Sequence, residues 1–223
     1  MPTIRALDHV ELSMHADFTP PSVDGGRKRL LSAAHDLFPV EGFAGCSVAK
    51  ILANSKLQAP SLYHHFGDKE GLYMAWLDES LSDLGHRIQV ATQGSAPFET
   101  KLAAVSAVMM DSRSPDILLI RRDARSLKSD LNSQKLHSKL MESVVEPLMN
   151  LFLSESNADP RTIERTVDAF LLGASGLGRS YSMRTPNDPG ETAQWWARLF
   201  LKGVGDRVAQ VSSAVAFLFG AVS

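Results

Sequence analysis

Hydrophobic residues recur at helical spacing along most of the chain, and no stretch alternates with the two-residue period of a half-buried strand. An apolar face made by Leu30, Leu31, Ala34, Leu37 and Phe38 predicts a first helix over about 25–38. Pro39 should end or bend that helix, because proline lacks a backbone donor and crowds the preceding turn. Gly42 is the candidate residue just beyond the end of this helix.

Two short helices and a longer one are predicted next. Ser47 is a good N-cap for a second helix that fades near residue 54. The third helix covers about 58–64, and Asp68 is the N-cap candidate of the fourth. The third helix is small, polar and aromatic at its end, so it is too short to form a core element. Short helices in this succession are typical of a helix-turn-helix DNA-binding domain.

The rest of the chain also has a helical pattern. Helices are predicted over about 98–111, 115–127, 131–153, 161–184 and from 191 toward 220, with a kink at Pro147 and a loop at 185–190. Residues 1–24 contain two prolines and scattered acids without a sustained period, so we expect a flexible arm there. The predicted fold class is all-α, with a three-helix helix-turn-helix domain over 25–72 and a helical domain over 73–223.

The charge distribution gives only weak support to DNA binding by the N-terminal segment. The chain has a formal net charge of −2, which excludes a polybasic coat for nucleic acids. Residues 25–75 contain six basic and four acidic side chains, so this segment is weakly basic and the remainder is acidic. Contacts to DNA phosphates should therefore be few per subunit and supplemented by polar groups and helix N-termini.

Cysteine content and hydropathy indicate the compartment. One cysteine, Cys46, excludes an intrachain disulfide and favours a reducing environment. The N-terminus lacks the apolar core of a signal peptide, and no apolar run reaches membrane-spanning length. We therefore expect a cytoplasmic protein without membrane contact.

The third helix contains the candidate base-reading residues. Gln58 can bridge adenine and Ala59 can contact a thymine methyl group, with Ser61 on the same outward face. Tyr63 and His64 are better placed for phosphates. The alternative is that the aromatic residues over 63–66 only pack, and we adopt it for His65 and Phe66.

Further candidate contacts lie outside that helix. Ser47 and the N-terminus of its helix form an anion site, and Lys69 forms another in the first turn of the fourth helix. Arg27 lies where the first helix begins and can follow a neighbouring phosphate or the minor groove.

A fixed spacing of residues resembles the N-terminal domain of TetR-family (tetracycline-repressor-like) transcriptional regulators. The matching positions are Ala33-Ala34, Leu37-Phe38, Glu41-Gly42-Phe43, Ser47-Val48, Ile51, Ser61-Leu62-Tyr63-His64-His65-Phe66 and Lys69-Glu70-Gly71-Leu72. The resemblance implies DNA contacts by Ser47, Gln58, Ala59, Ser61, Tyr63, His64 and Lys69.

The chain departs from the family pattern in three places. The turn before the third helix reads Ser55-Lys56, where the family usually has a small residue and then glycine, so Lys56 is expected to be mildly strained at positive φ. Leu52 replaces a usual alanine, and Pro39 is unusual near the end of the first helix.

The resemblance also implies that residues 73–223 bind a small effector and form a homodimer through the last two helices. Small and apolar residues on both helices fit a four-helix interface about a two-fold axis: Leu171, Leu172, Ala174, Leu177, Trp195, Trp196, Leu199 and Phe200. Packing within one subunit is the alternative.

Effector contacts are harder to locate. Methionine and aromatic side chains suit an adaptable apolar pocket, and a cation can pair with an anionic effector. The candidates are Met109, Met110, Arg121, His137, Met141 and Phe152. Core packing for the apolar residues and solvated charge for the others are the alternatives.

These features predict a homodimeric repressor that binds a pseudo-palindromic operator in double-stranded DNA and is released by an unknown small molecule. The alternative is a ligand-independent architectural or cell-cycle DNA-binding protein on the same fold. We expect no enzymatic activity, cofactor or metal site. A further hypothesis is a redox sensor at Cys46, whose pKa a helix N-terminus can lower.

Overall fold

The computed structural model describes residues 23–182 and 190–203. Within them the regular secondary structure is helical, which confirms the all-α prediction. In chain order the helices are α1 Val23–Gly45, α2 Val48–Ser55, α3 Ala59–Phe66, α4 Lys69–Thr92, α5 Phe98–Met110, α6 Ile117–Asp123, α7 Asp130–Leu140, α8 Glu146–Glu155, α9 Pro160–Ser182 and α10 over 190–203. A 3₁₀ turn at Ala124–Ser126 follows α6, and a π turn at Met141–Val145 joins α7 to α8.

A single hydrophobic core extends from the first helices to α10. In the N-terminal part, Phe38 of α1, Ile51 of α2 and Leu62 of α3 are fully buried against α4. The predicted domain boundary at residue 72 falls inside α4, which continues without interruption to Thr92. Three predicted segments fall wholly or almost wholly outside the described residues: the arm over 1–24, the loop over 185–190 and the end of the chain beyond 203.

The end of α1 differs from the prediction. The helix does not stop at Pro39, and the non-helical backbone lies at Gly42, with φ 70° and ψ −179°. Proline removes one helical hydrogen bond, and the burial of Phe38 and Phe43 on either side holds the helix on the core in spite of that loss. Gly42 then turns the chain toward α2, and its carbonyl accepts a hydrogen bond from Cys46 N at 3.2 Å.

The turn between α2 and α3 confirms the strain predicted at Lys56. This residue has φ 54° and ψ 39°, and it is the one non-glycine residue at positive φ among the described residues. Its amide donates to the carbonyls of Leu52 and Ala53, which ends α2 as a glycine C-cap does elsewhere.

Replacing Lys56 by glycine should raise the free energy of unfolding by about 0.5 kcal/mol, because relief of the left-handed backbone slightly exceeds the added entropy of the unfolded chain. Urea denaturation measures this change. Ala53→Gly, inside α2, is the control and should lower stability by about 1 kcal/mol. Destabilisation by both substitutions would contradict the strain at Lys56.

The helix predicted over 131–153 is present as α7, the π turn and α8. The kink predicted at Pro147 corresponds to the π turn that lies just before this proline. Proline has no N–H for the normal helical bond, and the π turn accommodates the loss. In the described part of the chain, no helix is long and apolar enough to span a bilayer.

Candidate nucleic-acid interface and effector half

Helix α3 presents its polar side chains to solvent. Leu62 is its buried anchor, whereas Gln58, Tyr63 and His64 are exposed, with Tyr63 55% accessible. Gln58 occupies the N-cap position in an extended conformation and makes no side-chain capping bond, so its amide is available to a ligand. Ala59 and Ser61 are half-buried on the same helix. The outward face is therefore narrow and polar, as entry into a major groove requires.

The N-terminus of α2 lies next along the chain at the surface. Ser47 is exposed, and its hydroxyl oxygen accepts a hydrogen bond from Lys50 N at 3.2 Å, as an N-cap does. The amides of Val48 and Ala49, in the same first turn, have no partner within the helix because no carbonyl precedes them at helical spacing. This end of the helix can therefore hold a phosphate oxygen.

Lys69 is placed differently from the other predicted contacts. Its ammonium donates to the carbonyl oxygens of Phe43 at 2.7 Å and Cys46 at 2.9 Å, and lies 4.2 Å from the centre of the Phe43 ring. These carbonyls belong to the end of α1 and to the turn that follows it. Lys69 therefore fastens α4 to that turn, and only its third N–H is left for the predicted DNA contact.

The aromatic residues at the end of α3 pack as expected. His65 and Phe66 are half-buried, and His65 lies beside the backbone of Gly26 in α1. The guanidinium of Arg27 lies 5.4 Å from the centre of the Phe66 ring. This cation–π contact positions exposed Arg27 next to the end of α3.

Two buried carboxylates that the sequence did not single out join the N-terminal helices to the rest of the protein. The first is Asp123, at the end of α6 and only 1% exposed. Its Oδ2 accepts from Phe43 N at 2.6 Å and from the Tyr73 hydroxyl at 3.1 Å. Burial and the nearby Asp123 carboxylate raise the pKa of Tyr73, so the phenol stays protonated and donates.

The second carboxylate is Glu70, in the first turn of α4. It accepts from the backbone amides of Lys128 and Ser129 at 2.9 and 3.2 Å and from the side-chain amide of Asn132 at 2.7 Å. Burial alone would raise the pKa of Glu70, but these hydrogen bonds outweigh it and hold the pKa below the ordinary value. The start of α7 is thereby fixed to the helix that follows α3.

The predicted effector residues have separate environments. Met109 is buried, whereas Met110 and Met141 are half-buried and His137 is exposed on α7. Arg121 pairs with Asp168 at 2.7 Å. The ring of Phe152 packs in the core against Phe98, Phe170 and Phe200, at centroid distances of 5.2, 6.3 and 6.3 Å.

An open groove of about 630 Å³ lies between α4 and α7. Apolar side chains such as Met74, Leu81 and Leu131 line it, and charged side chains such as Asp78 and Lys139 also contribute. These last two form an ion pair at 3.0 Å. None of the six predicted effector residues lines this groove.

The predicted dimer residues divide into two groups. Leu172 of α9 and Trp195 and Leu199 of α10 are large apolar side chains that are 43%, 52% and 46% exposed; we refer to them as the apolar face of α9 and α10. Leu177 and Trp196 are half-buried. The prediction needs correction for Leu171, Ala174 and Phe200. These three side chains are buried in the core of the protomer and leave almost no surface for a partner.

The redox-sensor hypothesis for Cys46 also needs correction. The thiol is fully buried, and burial, followed by the charge of Glu41, raises its pKa. A buried thiol with a raised pKa is a poor nucleophile, which is the opposite of what the redox hypothesis requires.

Cys46 should therefore react with a disulfide reagent such as DTNB at least about 100-fold more slowly than a free thiol, because both exposure and thiolate formation are suppressed. The native protein and the protein in urea are compared by absorbance. Rapid reaction of the native protein would restore the redox hypothesis.

An exposed third helix on a three-helix core is the arrangement found in helix-turn-helix domains. Residues 30–75 match the family model described as bacterial regulatory proteins, tetR family. The HTH-type transcriptional regulator HbdR of Aromatoleum sp. (strain CIB) is 27% identical over 114 residues. That match spans half of this chain and half the length of HbdR.

Solved structures of similar proteins agree on the fold. A TetR-family transcriptional regulator from Bordetella parapertussis 12822 matches with a TM-score of 0.66 and 19% identity, covering 78% of this chain and 93% of that one. AibR in complex with isovaleryl coenzyme A and operator DNA matches with a TM-score of 0.64 and 17% identity, covering 78% and 97%. The match to the tetR family model covers residues 30–75, and the solved structures show that the chain shares the fold of these regulators.

Proposed function

We propose that the protein is a homodimeric, sequence-specific repressor whose affinity for operator DNA falls when a small molecule binds its C-terminal half. The observation that supports this most is α3, which is anchored by buried Leu62 and directs Gln58, Tyr63 and His64 outward. The match of residues 30–75 to the tetR family model supports the same function.

We assign the DNA contacts to two groups, those that read base edges and those that bind phosphates. Gln58 and Ala59, at the start of α3, read base edges, since the first residues of a recognition helix enter the groove most deeply. Tyr63, His64 and the N-terminus of α2 at Ser47 bind phosphates and fix the register. Arg27, oriented by the Phe66 ring, adds a positive charge beside α3.

Replacing Tyr63 by alanine should weaken binding roughly tenfold on every DNA sequence, because a lost phosphate contact does not discriminate between bases. Fluorescence anisotropy measures the affinities. The exposed hydroxyl makes no internal contact that the fold requires, so the thermal midpoint should not change. Gln58→Ala is the matched variant and should relax the preference at one base pair. Unchanged affinity in Tyr63→Ala would mean that α3 does not enter the groove.

Effector binding is supported by the groove between α4 and α7. Its volume of about 630 Å³ lies in the range of small-molecule sites. AibR, a protein of this fold, forms a complex with isovaleryl coenzyme A and operator DNA. A ligand in the groove would contact α4, the helix that directly follows α3.

Dimer formation is supported by the exposed apolar face on α9 and α10. Trp195 and Leu199 are exposed one helical turn apart on α10, and Leu172 is exposed on α9, next in sequence to Gly173, which packs against the Trp196 ring. Large exposed aromatic and aliphatic side chains in one patch are typical of protein interfaces. A two-fold axis through this face would present two copies of α3 to successive turns of DNA.

A further inference from the structure

We propose that Asp123 is a positioning residue: by fixing the DNA-binding helices to α6, it sets the spacing between operator half-sites that the dimer accepts. This inference rests on the proposed homodimeric function. It assigns a role in specificity to a side chain remote from the exposed face of α3.

One side of α6 is tied to α9, the helix of the proposed dimer interface. Asp116 pairs with Arg179 at 2.8 Å, and Arg121 pairs with Asp168 at 2.7 Å. Asp116 also accepts from the amides of Leu118 and Leu119 and so begins α6 as its N-cap. Both ends of the short helix are therefore held to α9.

The other side of α6 is tied to the DNA-binding helices by Asp123. One oxygen of this carboxylate accepts both from Phe43 N, beyond the break in α1, and from the Tyr73 hydroxyl of α4. The other oxygen has the Arg122 guanidinium at 3.6 Å. Both donors are buried, so releasing the carboxylate would leave them unsatisfied.

The arrangement makes α6 a short connection from α9 to α1 and α4. The backbone at Gly42 lies so close to α6 that an added Cβ would come within 2.9 Å of Leu119, Arg122 and Asp123 side-chain atoms. Rotation of α1 relative to α9 therefore requires Asp123 to break its bonds. In a dimer built on α9, this restraint fixes the distance between the two copies of α3.

The test measures binding to operators whose half-sites are moved apart or together in single base-pair steps. The wild type should prefer one spacing and lose at least about tenfold in affinity one base pair away, since each step also rotates the half-site about the DNA axis. Asp123→Asn keeps the size and one acceptor but removes the charge. It should reduce this discrimination at least threefold while affinity for an isolated half-site is unchanged.

Two other variants separate positioning from general stability. Ser106→Ala removes a buried hydroxyl that bonds only within α5, and it should leave the spacing preference intact. Arg121→Gln breaks the α6–α9 pair at a partly exposed site and should broaden the preference even if Asp123→Asn folds poorly. A uniform loss of affinity at all spacings in both α6 variants would overturn the role of Asp123. A wild type that selects no paired half-sites would instead overturn the proposed dimeric function itself.

Discussion

Alanine at position 42 is expected to lower the free energy of unfolding by at least about 3 kcal/mol, the sum of backbone strain and crowding. Gly42 has φ 70° and ψ −179°, a region that is essentially restricted to glycine. An added Cβ would also lie 2.9 Å from the Asp123 carboxylate, which cannot retreat because it is buried and holds two donors. Chemical denaturation measures the change.

Alanine variants at two other glycines separate the cost of backbone strain from the cost of steric crowding. Gly67 has φ 77°, and no atom lies within 4 Å of the position that a Cβ would take, so Gly67→Ala should show the backbone cost alone. Gly45 is not at positive φ, and its Cβ would make an ordinary contact at 3.5 Å, so Gly45→Ala should be nearly neutral. If Gly42→Ala costs no more than Gly67→Ala, the close packing of α6 on α1 is wrong.

Placing two carboxylates on the apolar face of α9 and α10 should convert the dimer to a monomer. In the double variant Leu172→Glu and Trp195→Glu, each charge would meet its symmetry mate or an apolar partner surface after losing its hydration. Affinity for a complete operator should then fall on the order of 100-fold, because the second half-site no longer benefits from the first. Sedimentation velocity gives the oligomeric state.

Val90→Glu is the matched control for this experiment. Val90 is an exposed apolar residue of α4, outside the proposed interface, and should tolerate the charge without a change in mass or DNA affinity. Retention of the dimer in the Leu172→Glu and Trp195→Glu double variant would place the interface elsewhere.

Local sequence patterns predicted the helices well because the signals that set their limits are local. Ser47 and Asp68 cap α2 and α4 with the side-chain bonds that their positions imply. The strained turn at Lys56 was predictable for the same reason. The predicted end of α1 at Pro39 was wrong. The hydrogen bond that proline removes is a local feature, whereas the side-chain burial that stabilises α1 beyond Pro39 depends on tertiary packing.

The candidate DNA-binding residues could be predicted from the sequence only where their exposure depends on a single helix. The outward face of α3 follows from periodicity and the position of Leu62. The environments of Lys69 and Asp123 depend on contacts 26 and 80 residues away in sequence, which no local pattern encodes. The groove between α4 and α7 likewise depends on how two distant helices pack, so the methionines chosen by composition missed it.

Selection of binding sites from random DNA, with purified protein at near-physiological salt, decides whether the protein is a sequence-specific dimer. We expect a pseudo-palindromic site whose half-sites lie about one helical turn, or roughly 10 base pairs, apart. Enrichment without sequence preference, or no enrichment by folded protein, would contradict a sequence-specific dimer.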